Sequence, residues 1–312
     1  MDLQYLLFLQ RLREATHDVF SPFLMTASDL MVSLVPVCVI AFVFLCVNKR
    51  WGYAIMASIF CATIMNQLIK NIFCIYRPWI RCASIHPYGN AITSATGYSF
   101  PSGHATMASS FWGSFALIFR KHRWLVCLCI ILAVTVAFSR NYIGVHTPQD
   151  VAVGLLEGSL AVFAVNRFQR INTNGRYDSA VVIGGLIFTG LYLTFTTLKP
   201  YPMDYASDGK LLVEPARMIT DCYNTGGLLA GFLTGWFVEK RHIKMSTDGK
   251  WYRYLWRIIL AIFLILLHTK LLMPTISTVL STYWTAFFQC FILVWIITVI
   301  VPATEKWRAA LN

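Results

Sequence analysis

The sequence is poor in charge. Only 13% of its 312 residues are Asp, Glu, Lys or Arg, roughly half the share of an ordinary soluble domain, and acids are the scarcer sign, 14 against 26 basic residues. No polar stretch is long enough to hold a soluble domain. None of the nine cysteines forms a C-x-x-C pair and most lie inside apolar runs, which argues against zinc and thiol-redox motifs and leaves them as small hydrophobes. Cys74, Cys82 and Cys222 fall in connections instead, so a Cys74–Cys82 disulfide is a candidate. The opening MDLQYLLFLQRLREATHDVF lacks the order of a signal peptide, because Arg11 and Arg13 follow a short apolar run rather than precede it. Residues 1–25 read as an amphipathic segment lying in a membrane interface.

What the chain has in quantity is apolar surface: 57% hydrophobic residues and a mean hydropathy of +0.60. Runs of the roughly 17–25 residues that a bilayer-crossing helix needs recur along it. About nine are expected, centred near residues 38, 60, 111, 131, 158, 189, 230, 264 and 292. The expected fold class is all-α, a polytopic transmembrane helical bundle.

The formal charge of +12 does not point to nucleic acid, because the basic residues collect in alternate connections. These are Lys49 and Arg50; Arg120, Lys121 and Arg123; Arg167, Arg170 and Arg176; Lys240, Arg241, Lys244, Lys250, Arg253 and Arg257; Lys306 and Arg308. The positive-inside rule makes those connections cytoplasmic. With an odd number of spans the amino terminus is then outside and the carboxyl terminus cytoplasmic. Trp51, Trp124, Trp251, Trp256 and Trp307 fit as interfacial anchors on the basic side. Gly227, Gly231 and Gly235, and likewise Gly154 and Gly158, recur every four residues, a spacing that lets helices approach closely.

The chemistry-bearing residues gather in the other connections: Lys70 and Arg77 in KNIFCIYRP, Ser102, Gly103 and His104 in PSGH, and Arg140, His146 and Asp150 in SRNYIGVHTPQD. Singly each has an ordinary explanation, a snorkelling lysine or an interfacial arginine. Together, three cations, two histidines and one carboxylate make a site for an anion. Ser102 suits a helix N-cap and Gly103 lets backbone approach a ligand, so free N–H groups and the positive dipole end would face a phosphate. Thr147-Pro148 reads as a helix start, Thr147 capping and Pro148 in the first turn. His146 and Asp150 are then one helical turn apart, close enough for the carboxylate to hold one ring nitrogen and leave the other as nucleophile or base.

The order K-x6-RP (Lys70 to Pro78), PSGH (Pro101 to His104) and SR-x5-H-x3-D (Ser139 to Asp150) resembles the three-part signature of the type 2 phosphatidic acid phosphatase, or PAP2, superfamily of lipid phosphate phosphatases. The match covers residues 70 to 150. The resemblance implies a PAP2-like catalytic membrane core over residues 26–170, additional transmembrane helices over 171–312, and phosphate-ester hydrolysis through a phosphohistidine with no metal or other cofactor. It implies that His146 attacks phosphorus, Asp150 orients it, and His104 protonates the leaving oxygen and then activates water, while Lys70, Arg77, Ser102, Gly103 and Arg140 hold the phosphate. The expected partners are a phospholipid or isoprenoid phosphate and membrane lipids, not nucleic acid. A sugar phosphatase, a lipid phosphotransferase, a vanadate haloperoxidase or a non-catalytic lipid-phosphate transporter are the rival readings. Glu157, two turns from Asp150, reads as a paired structural residue or a functional carboxyl at membrane depth. Arg81 and His86 read as headgroup contacts or solvated loop residues, and residues 199–225 as a site cover or a plain connector.

Overall fold

The computed structural model describes residues 2–304, the Ser94 side chain excepted, so Lys306, Trp307 and Arg308 lie outside the described residues. The chain is helical almost throughout: α1 (Asp2–Ala15), α2 (Ser21–Val32), α3 (Leu34–Phe42), α4 (Lys49–Phe73), the short α5 (Pro78–Arg81) and α6 (Ala91–Ser94), α7 (Gly103–Ile118), α8 (Arg123–Tyr142), α9 (Pro148–Ile171), α10 (Asp178–Leu198), α11 (Pro215–Val238), α12 (Trp251–Leu267), the short α13 (Met273–Ser277) and α14 (Thr282–Trp295). Wider π-type turns at Val43–Val47, Glu239–Ile243, His268–Leu272 and Ile296–Ile300 follow α3, α11, α12 and α14. Among the described residues the only extended pairing is a single bridge between Tyr205 and Leu211. A helix satisfies its own backbone polar groups, which hydrocarbon cannot do for it.

Six of these helices are long and apolar enough to cross a membrane, and a seventh span follows if Ser21–Val32 and Leu34–Val47, bent by 51°, count as one. That is fewer than the nine expected. The other two expected spans do form helices, α7 and α11, for which length and composition fall short. With 16 residues, α7 is about 24 Å long at 1.5 Å per residue, against a hydrocarbon core of about 30 Å. It cannot begin before the proline-bearing PSGH run and it stops at the basic connection. With 24 residues α11 has the length, but it carries Asp221, Asn224, Thr225 and four glycines. Cys222, Leu229, Ala230, Phe232 and Leu233 on it are buried, so packing against protein rather than lipid sets its composition.

The chain forms two compact units. The first comprises the residues up to Pro36, Cys61–Ala164 and Lys199–Met218. Its central layer is α7, α8 and α9, packed through Ala105, Ala137 and Val151. The expected close approach at the small residues is present: a Cβ on Gly154 would lie 2.6 Å from the Ser102 carbonyl, and one on Gly158 would collide with Ser109 and the Thr106 carbonyl. A second cluster, Leu24, Ala91, Ala95, Tyr142, Ile143 and Val145, lies beneath the 78–100 connection with Trp79 and Tyr88 against it. That connection is tied to α1. Arg13 Nη2 donates to the His86 carbonyl (2.7 Å), the His86 N–H donates to Gln10 Oε1 (2.9 Å), and Arg81 pairs with Asp2 (3.1 Å).

The second unit comprises Val37–Phe60, Val165–Leu198 and the residues from Ile219 on. Here Gly227 and Gly231 bring α11 against the α14 backbone, a Cβ on Gly231 lying 2.8 Å from the Phe291 carbonyl, and Gly235 meets the Thr298 side chain just beyond it. Buried Arg257 is held by the carbonyls of Leu45 (2.6 Å) and Ser246 (2.8 Å).

The Cys74–Cys82 disulfide is absent, and all nine cysteines are free thiols. Cys74 turns instead toward the 199–214 connection, where its sulfur accepts from Lys199 Nζ at 3.0 Å.

Candidate active site

All eight residues singled out in the sequence come together in the first unit, and the local chain explains how. Lys70 occupies the last turn of α4, and its buried ammonium donates to the carbonyls of Tyr98 (3.1 Å) and Pro101 (2.8 Å). Arg77 follows just after that helix, fully extended before Pro78. Its guanidinium donates to the carbonyls of Gly97 (3.1 Å), Thr96 (3.3 Å) and Val145 (3.0 Å), and Nη1 stands 2.9 Å from His146 Nε2. The two cations thus clamp the backbone that leads into PSGH, and Gly97 makes the bend with a φ of +77°, where a side chain would strain the chain.

Ser102 occupies the N-cap position of α7 but does not cap it with its side chain. Its hydroxyl is fully buried and without a partner, and so is the Nε of Arg140, a side chain 1% exposed. A buried donor left unpaired costs about 1–3 kcal/mol, and these two belong to residues of the second and third motif segments. The first N–H groups of α7, starting at Gly103, have no acceptor within the helix, and such a helix start favours an anion. Nothing stands within 3.4 Å of a Cβ built on Gly103, so packing does not require glycine there. His104, next on α7, lies within electrostatic reach of Arg140, His146, Arg77 and Lys70. Arg140, in the last turn of α8, is steadied by Ser28 of α2, whose hydroxyl accepts from Nη1 at 2.9 Å.

His146 sits in the tight connection from α8 to α9, where Gly144 takes a φ of +79°. The His146 N–H donates to the Arg140 carbonyl (3.2 Å) and its carbonyl accepts from Asn141 Nδ2 (2.9 Å). Thr147 and Asp150 cap α9 reciprocally as the sequence implies: the Thr147 N–H donates to Asp150 Oδ2 (2.8 Å) and the Asp150 N–H to Thr147 Oγ1 (3.4 Å). The same Asp150 Oδ2 lies 3.4 Å from His146 Nδ1. That contact is an ion pair only if the imidazole is protonated. Burial first, and then the Arg77 guanidinium, push the His146 ring well below its ordinary value, against the upward pull of Asp150. Because Arg77 is a donor with no acceptor capacity, His146 Nε2 must present its lone pair. The ring is therefore neutral, with its hydrogen on Nδ1 toward Asp150.

The sequence reading missed Ser99. Its hydroxyl donates to Asp150 Oδ2 at 2.5 Å and stands 3.5 Å from His146 Nδ1. The only signal was a hydroxyl two residues before the PSGH run. Glu157 is paired: Asn66 Nδ2 (2.8 Å) and Thr106 Oγ1 (2.9 Å) donate to its Oε2. Arg81 and the His86 backbone belong to the α1 contacts rather than to this cluster. The 199–214 connection is docked on the first motif, through Lys199 to the Asn71 carbonyl, Tyr201 to Asn71 Oδ1 (2.9 Å) and Asp204 to the Tyr76 hydroxyl (2.5 Å). Val213 and Met218 pack on Tyr98.

The sequence model of the PAP2 superfamily matches residues 51–174, and that of the transmembrane extension of PAP2 superfamily phosphatases matches residues 223–306. An undecaprenyl-diphosphatase of Sulfolobus acidocaldarius is 34% identical over 37% of this chain and 54% of its own. A lipid A 1-phosphatase of Rhizobium etli is 32% identical over 33% and 45%, and a lipid A 4'-phosphatase of Bacteroides thetaiotaomicron 30% identical over 51% and 72%. The chain spans about half the length of most curated relatives it matches. No solved structure matches. The two matched segments take in more than half of the chain, one of them holding every residue of the cluster and the other most of the helices beyond it, and the chain belongs to the PAP2 superfamily.

Proposed function

We propose that this protein is an integral membrane phosphatase that hydrolyses a lipid phosphate, a phosphomonoester or diphosphate, through a phosphohistidine. One observation carries the reading: His146 has Nδ1 turned toward the Asp150 carboxylate and Nε2 facing the Arg77 guanidinium. A site that only bound an anion would need the cations but no buttressed nucleophile.

In the forward step the Nε2 lone pair of His146 forms a bond to phosphorus while the phosphorus–oxygen ester bond breaks, and His104 gives its proton to the leaving oxygen. Asp150 stabilises the charge that develops on the imidazole. Arg77, Arg140, Lys70, the Ser102 hydroxyl and the first N–H groups of α7 hold the phosphoryl oxygens and offset the charge of the transition state. Water then attacks phosphorus, His104 takes its proton, the nitrogen–phosphorus bond breaks with its electrons returning to Nε2, and orthophosphate leaves. Three cations around the phosphate do the charge neutralisation that a metal ion does elsewhere, so the reaction is metal-independent. The site lies on the side opposite the basic connections, toward the periplasm, exterior or lumen, with the amino terminus on that side and the carboxyl terminus cytoplasmic. The named relatives act on amphiphiles bearing a phosphate or diphosphate, which supports a phospholipid or isoprenoid phosphate as substrate.

The test is inorganic phosphate release by detergent-purified protein, with EDTA present, from phosphatidic acid, phosphatidylglycerol phosphate, undecaprenyl diphosphate and glucose 6-phosphate. Release from a lipid substrate that survives the chelator and falls at least ~10⁴-fold in His146→Ala is expected. Full turnover by His146→Ala would end the catalytic assignment, and a preference for glucose 6-phosphate would move the substrate class to sugars.

A further inference from the structure

We propose that Ser99, which stands outside the three motifs, is a positioning residue for His146, acting through a proton-sharing contact with Asp150 at the point where all three motif segments meet. The inference rests on the phosphohistidine reading above. The Ser99 N–H donates to the Ile75 carbonyl at 2.7 Å, inside the first motif. Its hydroxyl donates to Asp150 of the third motif at 2.5 Å, and the residue itself lies two positions before the second. Backbone and side chain together thus tie Ser99 to the first and third motifs, and the residue itself leads into the second.

The distances decide what this serine does. The direct His146–Asp150 contact is long, 3.4 Å, and Ser99 Oγ is almost as near to Nδ1, at 3.5 Å. At that length neither acceptor alone fixes the ring, since hydrogen bonds from nitrogen are strongest near 2.9 Å. The serine hydroxyl has one proton and two lone pairs. With its proton on Asp150 Oδ2, its lone pairs are left to accept from Nδ1–H. The imidazole hydrogen is therefore shared between the carboxylate and the hydroxyl, and the plane of the ring is set by both. Ser99 is fully buried, so no water replaces it without rearrangement.

Removing the hydroxyl has two effects of different kind. The ring loses one of its two acceptors and its aim at phosphorus loosens, which lowers kcat more than it alters KM. The carboxylate also loses a donor, so its charge acts on His146 undivided. The other charged and titratable groups that act on this ring are Lys70 from the end of α4, Arg77 just after it, and His104 from α7, which itself lies near Arg140 of α8, and none of them changes. The imidazole then takes up a proton more readily, and the acid limb of the kcat/KM profile moves to higher pH.

The experiment compares wild type, Ser99→Ala, Ser99→Thr, Ser99→Cys and His146→Ala in phosphate release from the preferred lipid over pH 4–9, with gel-filtration elution and Tm as checks on folding. For Ser99→Ala a kcat loss of roughly ten- to a hundredfold is expected, with KM within about threefold and the acid limb raised; Ser99→Thr keeps the hydroxyl and restores both. If Ser99→Ala does not fold, Ser99→Cys, a weaker donor of similar size, is expected to show the same two changes in smaller measure. A folded Ser99→Ala or Ser99→Cys with wild-type kcat and acid limb overturns the inference. So does a loss of kcat with an unmoved acid limb that threonine fails to repair, because that is a packing defect. Retained release by His146→Ala would instead overturn the underlying phosphatase reading.

Discussion

Two buried carboxylates, one in each unit, show how differently the same group is used. Glu239 is fully buried and closed: Lys49 Nζ (3.0 Å) and the Met245 N–H (2.8 Å) donate to Oε1, and the Tyr53 hydroxyl donates to Oε2. Every partner is a donor with no further task, so the network stops there and holds the α11 end to the start of α4. Asp150 also has three donors, but all on Oδ2, and one of them is an imidazole whose second nitrogen faces the cations. A network that closes on itself stabilises a fold. One that runs on into a second titratable group, whose far nitrogen faces a guanidinium, is open, and this separates the Asp150 network from the Glu239 network of the second unit.

Replacing each carboxylate breaks the comparison most sharply. Asp150→Asn keeps the shape but supplies an amide that can donate to Nδ1, which favours the wrong tautomer, and a kcat loss of about 10³–10⁴-fold is expected with little change in Tm. Glu239→Ala leaves the buried Tyr53 hydroxyl and the partly exposed Lys49 ammonium without their acceptor, a cost of about 1–3 kcal/mol, while kcat of whatever folds stays within about twofold. Phosphate release and thermal unfolding on both variants check the pair. If Glu239→Ala lost turnover as Asp150→Asn does, the distinction between closed and open networks would fail.

The site was legible in the sequence because each of its residues has chemistry of its own: a histidine, a carboxylate four residues on, and cations in connections whose neighbours are apolar. Spacing then did what packing does in the fold. Ser99 was not legible, since a serine in a connection is ordinary until its distance to Asp150 is known. The Lys199–Cys74 contact joins residues 125 positions apart that no local pattern relates, whereas the Cys74–Cys82 disulfide was only a candidate from their place in connections, and both thiols are free. The helical class and most spans were readable from hydropathy, whereas α7 and α11 form helices whose length and composition do not confirm them as spans. One is shortened by the site at its start and the other is polar because protein surrounds it, and neither cause is visible in a hydropathy window. The α9 and α11 glycine spacings were legible as close approach, though not the partner each serves.

Those glycines give the next contrast. Gly154 faces the carbonyl of Ser102, the N-cap of α7, so a methyl there must push the start of that helix and the phosphate-holding N–H groups with it. A shift of about 1 Å at reacting groups costs roughly a hundredfold in rate, and Gly154→Ala is expected to lose about that much. Gly231 meets the Phe291 backbone in the second unit. Overpacking there costs about 1–3 kcal/mol of stability and leaves kcat alone. Equal kcat losses in the two alanine variants would mean that the second unit shapes the site as directly as the first.

The smallest effect is expected where two buried arginines are held by different means. Arg257 is fixed by main-chain carbonyls of Leu45 and Ser246, which no substitution removes. Arg140 is fixed by a side chain, the Ser28 hydroxyl at 2.9 Å, and Ser28 lies in α2, outside the segment that matches the PAP2 superfamily. Ser28→Ala deletes one hydrogen bond to a charged group, about 1.5 kcal/mol, or roughly tenfold. Because the guanidinium remains and only its aim is freed, that loss is expected in KM for the lipid phosphate, with kcat changed by less than about threefold. Initial-rate kinetics at several substrate concentrations separate the two constants. A tenfold rise in KM would make α2 part of phosphate recognition although the superfamily match begins after it, whereas an unchanged KM would show that the Ser28 hydroxyl is not needed to aim Arg140.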